Sequence, residues 1–144
     1  MKAIIITIAF ILTATFTFGQ EISVPVNAQE VFDKDYNTNN EAKNIVWTKS
    51  NSNYVVYFEY NGKKRSVLFD EAGNYKENRI FIPYGKLNEK TANYIETNYS
   101  KNSIVQCYEV NSNTVPFRNE VEIDVNGEMI PLFFRPNGDF HYKK

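Results

Sequence analysis

The chain has 144 residues, and its 16 Lys and Arg against 17 Asp and Glu leave a formal net charge of −1. No basic surplus exists to neutralise phosphates, which disfavours a dedicated nucleic-acid-binding protein. One Cys cannot form an internal disulfide, and one Cys with one His cannot supply a zinc site from nitrogen and sulfur ligands alone. Ten Tyr and eleven Phe make the composition typical of a β-rich domain.

The first 19 residues have the pattern of a removable signal peptide. A short positive start at Met1 and Lys2 precedes an uncharged apolar run over residues 3–18, and Gly19 stands before the expected cleavage point. The competing interpretation is a retained membrane anchor, but the run of about 16 residues is shorter than the roughly 20 that span a bilayer. We therefore predict a signal peptide over 1–19, a single domain over 20–144, no membrane span after cleavage, and a periplasmic or secreted protein.

Two similar halves follow each other along the predicted mature domain. Residues 60–75 align without a gap with residues 125–140, and shorter upstream blocks match in the same order. Chance is a poor explanation for three matching blocks in the same order. We therefore predict a tandem repeat, with repeat one over about 24–82 and repeat two over about 87–144.

Each half is predicted as one helix followed by four strands. Apolar residues share one face of a helix over 26–36 and again over 89–99. Predicted strands follow at 44–49, 54–60, 65–70 and 74–82, and then at 104–110, 119–125, 129–134 and 139–143. Asn-Gly pairs at 61–62 and 126–127 indicate two-residue hairpins, because both residue types accept the positive φ of a type I′ turn. A loop over 111–118 is longer than its counterpart in repeat one.

Alternation along the strands predicts which face of the sheet is buried. In strand 119–125, three apolar residues alternate with three carboxylates, so the apolar set faces the core. Carried across the repeat, this register predicts the buried residues Val56, Phe58, Tyr60, Val67, Phe69, Tyr75, Val121, Ile123, Val125, Leu132, Phe134 and Phe140. The opposite face holds Val55, Tyr57, Leu68, Phe133 and His141 beside Glu120, Glu122 and Asp139. One helix per half covers one face of an antiparallel sheet, so we predict an α+β fold whose second face is open to a partner.

No nucleophile motif, glycine-rich phosphate loop or His-Glu-x-x-His helix occurs in the sequence. His141 is the one candidate base near neutral pH, and a surface histidine is the favoured interpretation. Calcium could be held by Glu120, Glu122 and Asp124, but a solvated strand face is favoured because no glycine-bearing loop gathers them. We therefore predict no enzymatic activity, no catalytic residue, no metal and no cofactor.

Cys107 and Trp47 each allow two interpretations. A free reactive thiol or an intermolecular disulfide competes at Cys107 with a small semi-buried apolar residue, which is favoured. A carbohydrate-stacking ring competes at Trp47 with a core residue of the first strand, which is also favoured.

The apolar positions and turns resemble a known family. Val24-Pro25, Phe32, Tyr36, Val46-Trp47 and the run 54–58 are similar to one repeat of the PepSY-like, beta-lactamase-inhibitor-like proteins, small secreted proteins common in the Bacteroidetes. The second half fits through 87–90, 94–99 and 134–138, and departs by having Asn88 where the family usually has Pro and Gln106 where a Trp stands. The resemblance implies one curved eight-stranded sheet with both helices on its convex side. In the inhibitor that names the family, the concave face grips the enzyme.

The leading functional hypothesis is a secreted or periplasmic binding module that inhibits an envelope hydrolase of the peptidase or beta-lactamase type. We predict that its protein partner docks on Val55, Tyr57, Leu68, Phe117, Phe133 and His141. The alternative is an envelope protein that binds a small molecule or a glycan against Tyr57 and Phe133. The competing interpretation is that the edge of a dimer buries the same face.

Overall fold

The computed structural model describes residues 22–114 and 118–143, so the predicted signal peptide lies outside the described residues. The main elements are α1 (Val26–Tyr36), β1 (Lys43–Ser50), β2 (Asn53–Tyr60), β3 (Lys63–Phe69), β4 (Tyr75–Ile82), α2 (Glu89–Asn98), β5 (Ile104–Ser112), β6 (Arg118–Val125), β7 (Glu128–Phe134) and β8 (Phe140–Lys143). Short 3₁₀ turns precede and follow α2, over Tyr84–Lys86 and Lys101–Ser103. Both predicted helices and all eight predicted strands are confirmed, with bounds that differ by at most two residues.

The strands form one antiparallel sheet whose spatial order is the chain order, β1 to β8. Asn61 and Gly62 have φ of 52° and 70°, and Asn126 and Gly127 have φ of 57° and 86°. Positive φ at both central residues is what a type I′ turn requires, so both predicted hairpins are confirmed. The predicted α+β class is confirmed for this single sheet with its two helices.

The predicted loop over 111–118 is shorter in the structure. Strand β5 continues through Asn111 and Ser112, which pair with Asn78 and Glu77 of β4, and β6 begins at Arg118. Strand β4 extends far enough to pair with the backbone groups that sequence patterning assigned to a loop.

Both helices pack against the same face of the sheet, which we call the helix face. Phe32 of α1 meets Phe58 edge-to-face, with ring centroids 5.0 Å apart, and Ile95 of α2 is buried in a second cluster with Phe134. Eight of the predicted core residues are buried: Val56, Phe58, Val67, Phe69, Val121, Ile123, Leu132 and Phe134. The other four are partly buried and packed against these clusters: Tyr60, Tyr75, Val125 and Phe140.

A glycine lies under the start of each helix. Asn27 of α1 donates its side-chain N–H to the carbonyl of Gly73 at 3.0 Å, and Thr91 of α2 donates its hydroxyl to the carbonyl of Gly138 at 3.4 Å. Gly73 and Gly138 have φ of 82° and 85°. A Cβ at Gly73 would stand 2.9 Å from the backbone nitrogen of Ala28, so each turn approaches its helix too closely for a side chain.

Candidate functional site

The second face of the sheet, which we call the open face, has neither helix packed on it. Its residues alternate with those of the helix face and are paired across the strands. They include Val46, Thr48, Val55, Tyr57, Glu59, Lys64, Ser66, Leu68, Glu77, Arg79, Phe81, Gln106, Tyr108, Val110, Arg118, Glu120, Glu122, Asp124, Met129, Pro131, Phe133 and Tyr142.

Three of the predicted docking residues lie together on β2 and β3. Val55 is directly opposite Leu68, and Tyr57 is one pair further along the same face, with an exposed ring. All three line a cavity of about 150 Å³, whose remaining walls are Ser66, Glu77 and Arg79. The cavity therefore has apolar walls from two strands and charged side chains from β4.

Phe133 lies on the open face but is not left exposed to water, which corrects the sequence-based expectation. Only 6% of the residue is accessible, because the ring of Tyr142 stacks on it at 4.5 Å and the guanidinium of Arg118 lies 5.3 Å from its centroid. The exposed aromatic group at this edge is Tyr142, which is 43% accessible. Alternation gives the face of a residue, but it does not reveal a neighbour stacked on the same face.

His141 and Phe117 stand apart from this arrangement. The pairing of β7 with β8 shifts between Phe133 and Phe134, so that Tyr142 and Phe140 are paired and His141 is not. His141 is exposed, with its ring 4.9 Å from that of Tyr142, as expected of a surface histidine. Phe117 lies outside the described residues.

A charged network occupies the centre of the open face. Arg79 places its Nε 2.7 Å from an oxygen of Glu77, and its Nη1 3.3 Å from Oε1 of Glu120. Arg118 donates to the other oxygen of Glu77 at 2.8 Å. The hydroxyl of Tyr108 donates to Glu122 at 3.0 Å, and the guanidinium of Arg79 lies 5.3 Å from the ring of the same tyrosine. Three strands, β4, β5 and β6, are thus tied together by side chains.

Glu120 is the most deeply buried member of the network, at 1% accessibility. Its Oε2 is buried with no hydrogen-bond partner in the described part of the chain. Burial raises the pKa of Glu120 to about 6, against the lowering effect of Arg79. Burial acts to lower the pKa of Arg79, but Glu120 and Glu77 outweigh it and the net direction is upward.

The interpretation of a solvated acidic strand is wrong for Glu120, which is buried against Arg79. Glu122 accepts the Tyr108 hydroxyl, and Asp124 accepts the backbone N–H of Gly127 at 2.7 Å. Among the described residues, no group of three or more Asp, Glu, His or Cys side chains is arranged to hold a metal ion. Glu120 and Glu122 share Arg79, whose Nη1 lies 3.3 Å and 3.9 Å from their oxygens, and Asp124 has a separate partner.

Cys107 and Trp47 belong to the interior, as the favoured interpretations predict. Cys107 is buried in the second core cluster, and burial raises the pKa of its thiol to about 11. A protonated, buried thiol is a poor nucleophile. Trp47 is partly buried on the helix face, with its ring 5.7 Å from that of Phe32.

Sequence reasoning missed the network because it considered the carboxylates without the arginines. The available signal was spacing: Glu77 and Arg79 are two residues apart on one strand, as are Arg118 and Glu120 on another, so each pair shares a face. That spacing does not predict that β5 lies between the two strands that contain these pairs.

No protein-family model matches the chain, and no characterised protein matches it in sequence. Solved structures do match. A BLIP-like protein from Bacteroides fragilis is 18% identical, with a TM-score of 0.65 over 86% of this chain and 87% of that one. A DUF2874 family protein from Bacteroides ovatus is also 18% identical, with a TM-score of 0.69 over 86% and 89%. The predicted likeness to BLIP-like proteins of the Bacteroidetes is confirmed as a likeness of fold.

A third similar structure comes from Bacteroides eggerthii. It is 17% identical, with a TM-score of 0.68 over 85% of this chain and 88% of that one, and its description assigns it provisionally to the periplasm. In the part of this chain that the structure describes, no helix is long and apolar enough to cross a membrane.

Proposed function

We propose that this chain is a non-enzymatic protein-binding module of the bacterial envelope and that its partner docks on the open face. The observation that carries the proposal is the placement of exposed apolar groups on that face. Val46 and Tyr57 are exposed on the β1–β2 side, and Met129 and Tyr142 are exposed on the β7–β8 side. Two apolar flanks thus stand on either side of the charged centre. Exposed apolar groups on an uncovered sheet face are typical of an interaction surface.

The charged centre suits a docking surface that is formed before the partner arrives. Its arginines are already held by Glu77 and Glu120, so little side-chain freedom remains to be lost on binding. Arg79 and Arg118 also carry ring contacts with Tyr108 and Phe133. A partner would therefore meet a rigid, largely neutralised strip between two apolar flanks.

The cavity beside Tyr57 favours a protein over the alternative of a glycan or small molecule at Tyr57 and Phe133. Its volume is about 150 Å³, the size of a site that holds one benzene-sized group and well below the roughly 300 Å³ of small ligand pockets. Phe133 is not among its walls. One apolar side chain of a partner fits this space, with Val55 and Leu68 beside it.

The finer proposal is that the partner is an envelope hydrolase of the peptidase or beta-lactamase type, which the chain inhibits by covering it. Its support is the fold shared with a protein described as BLIP-like. We propose that the chain itself has no enzymatic activity. The thiol of Cys107 is buried and protonated, and the one histidine is exposed on the last strand. The periplasmic or secreted location is proposed from the leader pattern over 1–19 and from the description of the Bacteroides eggerthii structure.

We infer that the two halves are copies of one unit. Each half contains one helix and four strands, and each helix start rests on a glycine turn with positive φ, at Gly73 and Gly138. In each case a side chain near the helix start donates to that glycine's carbonyl, from Asn27 and from Thr91. Equivalent contacts at equivalent places support duplication.

Site-specific photo-cross-linking tests the docking surface. A photoreactive phenylalanine analogue at Tyr57 should capture a protein in the envelope fraction, and the same analogue at Asp33, exposed on α1, should not. The captured protein is then purified, and its binding to the native chain and to Tyr57→Ala is compared. Equal capture from both positions would contradict the proposal, and capture of a second copy of this chain would replace it with a dimer interface.

The enzymatic target is tested separately from binding. Hydrolysis of a chromogenic cephalosporin by purified beta-lactamases, and of casein by envelope peptidases, is measured with and without the chain. Inhibition that Tyr57→Ala relieves and Asp33→Ala does not would support the hydrolase proposal. A captured partner without hydrolase activity would contradict it while leaving the docking surface in place.

A further inference from the structure

A second cavity, larger than the one beside Tyr57, lies at one end of the sheet. It is a cleft of about 650 Å³ between the β2–β3 hairpin, the end of β4 and the link that leads to α2. Apolar side chains of Phe81, Ile82 and Pro83 line it, and three lysines surround it, at Lys63, Lys64 and Lys86. Its volume falls in the range of pockets that bind small organic molecules.

The lysines of this cleft form no close ion pair in the part of the chain that the structure describes, although Lys64 is paired across the strands with Glu59. All three are exposed, and within the described residues none lies within 4.0 Å of an acidic oxygen. Glu109 is the one acidic residue among the lining residues, and Glu59 lies opposite Lys64 on the neighbouring strand, so the three lysines exceed the nearby carboxylates by one. Like charges around one cavity repel each other, and an anion placed between them would relieve that repulsion.

The local structure does not require lysine at these positions. The turn before Lys63 needs the positive φ of Asn61 and Gly62, and nothing lies within 4 Å of the place where a Cβ of Gly62 would stand. The corresponding hairpin of the second half has the same Asn-Gly turn but continues with Glu128 and Met129. The same backbone is therefore made without lysines.

We propose that this cleft binds a phosphate monoester with a small apolar body. The phosphate group would lie among Lys63, Lys64 and Lys86, and its apolar part would pack on Phe81 and Pro83. A phosphate monoester carries a charge of about −1.5 to −2 at neutral pH, so the excess positive charge of the cleft attracts it. Lysine binds phosphate as a point charge and needs no fixed bidentate geometry. This site adjoins the partner surface around Tyr57, because Phe81 belongs to the open face, but the proposal does not depend on the proposed function.

The probe for this site is 2-naphthyl phosphate, followed by the chemical shifts of backbone amides in the folded protein. We expect saturable shifts that are largest at residues 62–64, 81–86 and 106–109. Neutral 2-naphthol and inorganic phosphate should each bind at least about tenfold more weakly, because each lacks one half of the recognition. Affinity should fall as salt is raised, since the attraction is between exposed charges.

Charge removal distinguishes this site from general attraction to a protein surface. The triple variant Lys63→Gln, Lys64→Gln, Lys86→Gln should lose affinity for 2-naphthyl phosphate by about tenfold or more. Lys34→Gln, exposed on α1, should change it by less than about twofold. Equal affinity in the triple variant, or shifts centred on another surface, would overturn the proposal.

A lipid source of the phosphate is tested with vesicles of phosphatidylcholine with and without phosphatidic acid. We expect no sedimentation of the protein with either vesicle. Sedimentation with phosphatidic acid that the triple variant abolishes, without binding of 2-naphthyl phosphate, would contradict a small-molecule ligand. Neither result depends on Tyr57, so the outcome is independent of the cross-linking experiment.

Discussion

Arg79 on β4 reaches over β5 to Glu120 on β6, with 3.3 Å between Nη1 and Oε1. The two strands are not neighbours, and Tyr108 of the intervening strand is paired with Glu120 and lies under the guanidinium. Glu77 holds the same guanidinium from its own strand at 2.7 Å. One arginine thus joins the last strand of the first half to the second half, at the centre of the face that we propose for docking.

Glu120 should make folding stability depend on pH below neutrality. Its pKa of about 6 in the folded protein lies above its ordinary value of 4.5, so between these values the folded state retains a proton that the unfolded state has lost. This contribution is complete below about pH 4.5 and is lost as the pH rises through about 6, by about 2 kcal/mol in all. Urea denaturation at a series of pH values should show this fall in the native protein.

The variant Glu120→Gln should remove that fall, because an amide does not titrate. Glu30→Gln, exposed on α1, serves as the matched control and should follow the native protein. If the free energy of unfolding changes with pH in the same way for Glu120→Gln and the native protein from pH 4.5 to 7, Glu120 does not titrate in this range.

Substitutions in the two core clusters test the assignment of the helix face. Phe58→Ala and Phe134→Ala should each lower the free energy of unfolding by about 3–5 kcal/mol, because each leaves a cavity under a helix. Glu30→Ala should stay within about 0.5 kcal/mol. Glu122→Ala should cost about 1 kcal/mol, since Glu122 accepts the Tyr108 hydroxyl. Chemical denaturation in which Glu122→Ala matched Phe58→Ala would invert the two faces.

Tyr57 and Phe133 should respond differently to alanine although both lie on the open face. Tyr57→Ala should weaken partner binding by about 2 kcal/mol or more and lower the melting temperature little, because the ring is exposed. Phe133→Ala should lower the melting temperature clearly, because it removes the ring under Tyr142 and Arg118. Titration calorimetry and thermal unfolding of both variants decide this, with Val26→Ala on α1 as an exposed apolar control. A large loss of melting temperature in Tyr57→Ala would mean that its ring packs the fold.

Two glycines with positive φ should tolerate alanine unequally. Gly62→Ala should cost about 1–2 kcal/mol, the strain of a left-handed backbone alone, because its Cβ would meet nothing. Gly73→Ala should cost more, because the new Cβ would also stand 2.9 Å from the backbone nitrogen of Ala28 and displace α1. Equal losses on urea denaturation would show that the start of α1 moves freely to make room.

Local patterns were sufficient for the elements and for the two faces. The Asn-Gly pairs specify type I′ turns by their own φ preferences, and the alternation of Val121, Glu120 and their neighbours assigns each side chain to a face. These properties depend on residues adjacent in the chain, so the sequence contains them directly. The lengths of β5 and β6 were less accessible, because the pairing of Asn111 and Ser112 depends on β4.

Burial within the open face was decided only by the tertiary structure. Phe133 is covered by Tyr142 of β8 and Arg118 of β6. Glu120 is buried because Arg79 of β4 reaches it across β5. The cleft beside Lys64 and Lys86 likewise forms only because the β2–β3 hairpin lies next to the link between β4 and α2. Spacing along one strand states which way a side chain points. The burial of that side chain and the charges around it depend on residues that are distant in the chain and are brought together by the sheet. These contacts set the exposure of Phe133 and the pKa of Glu120.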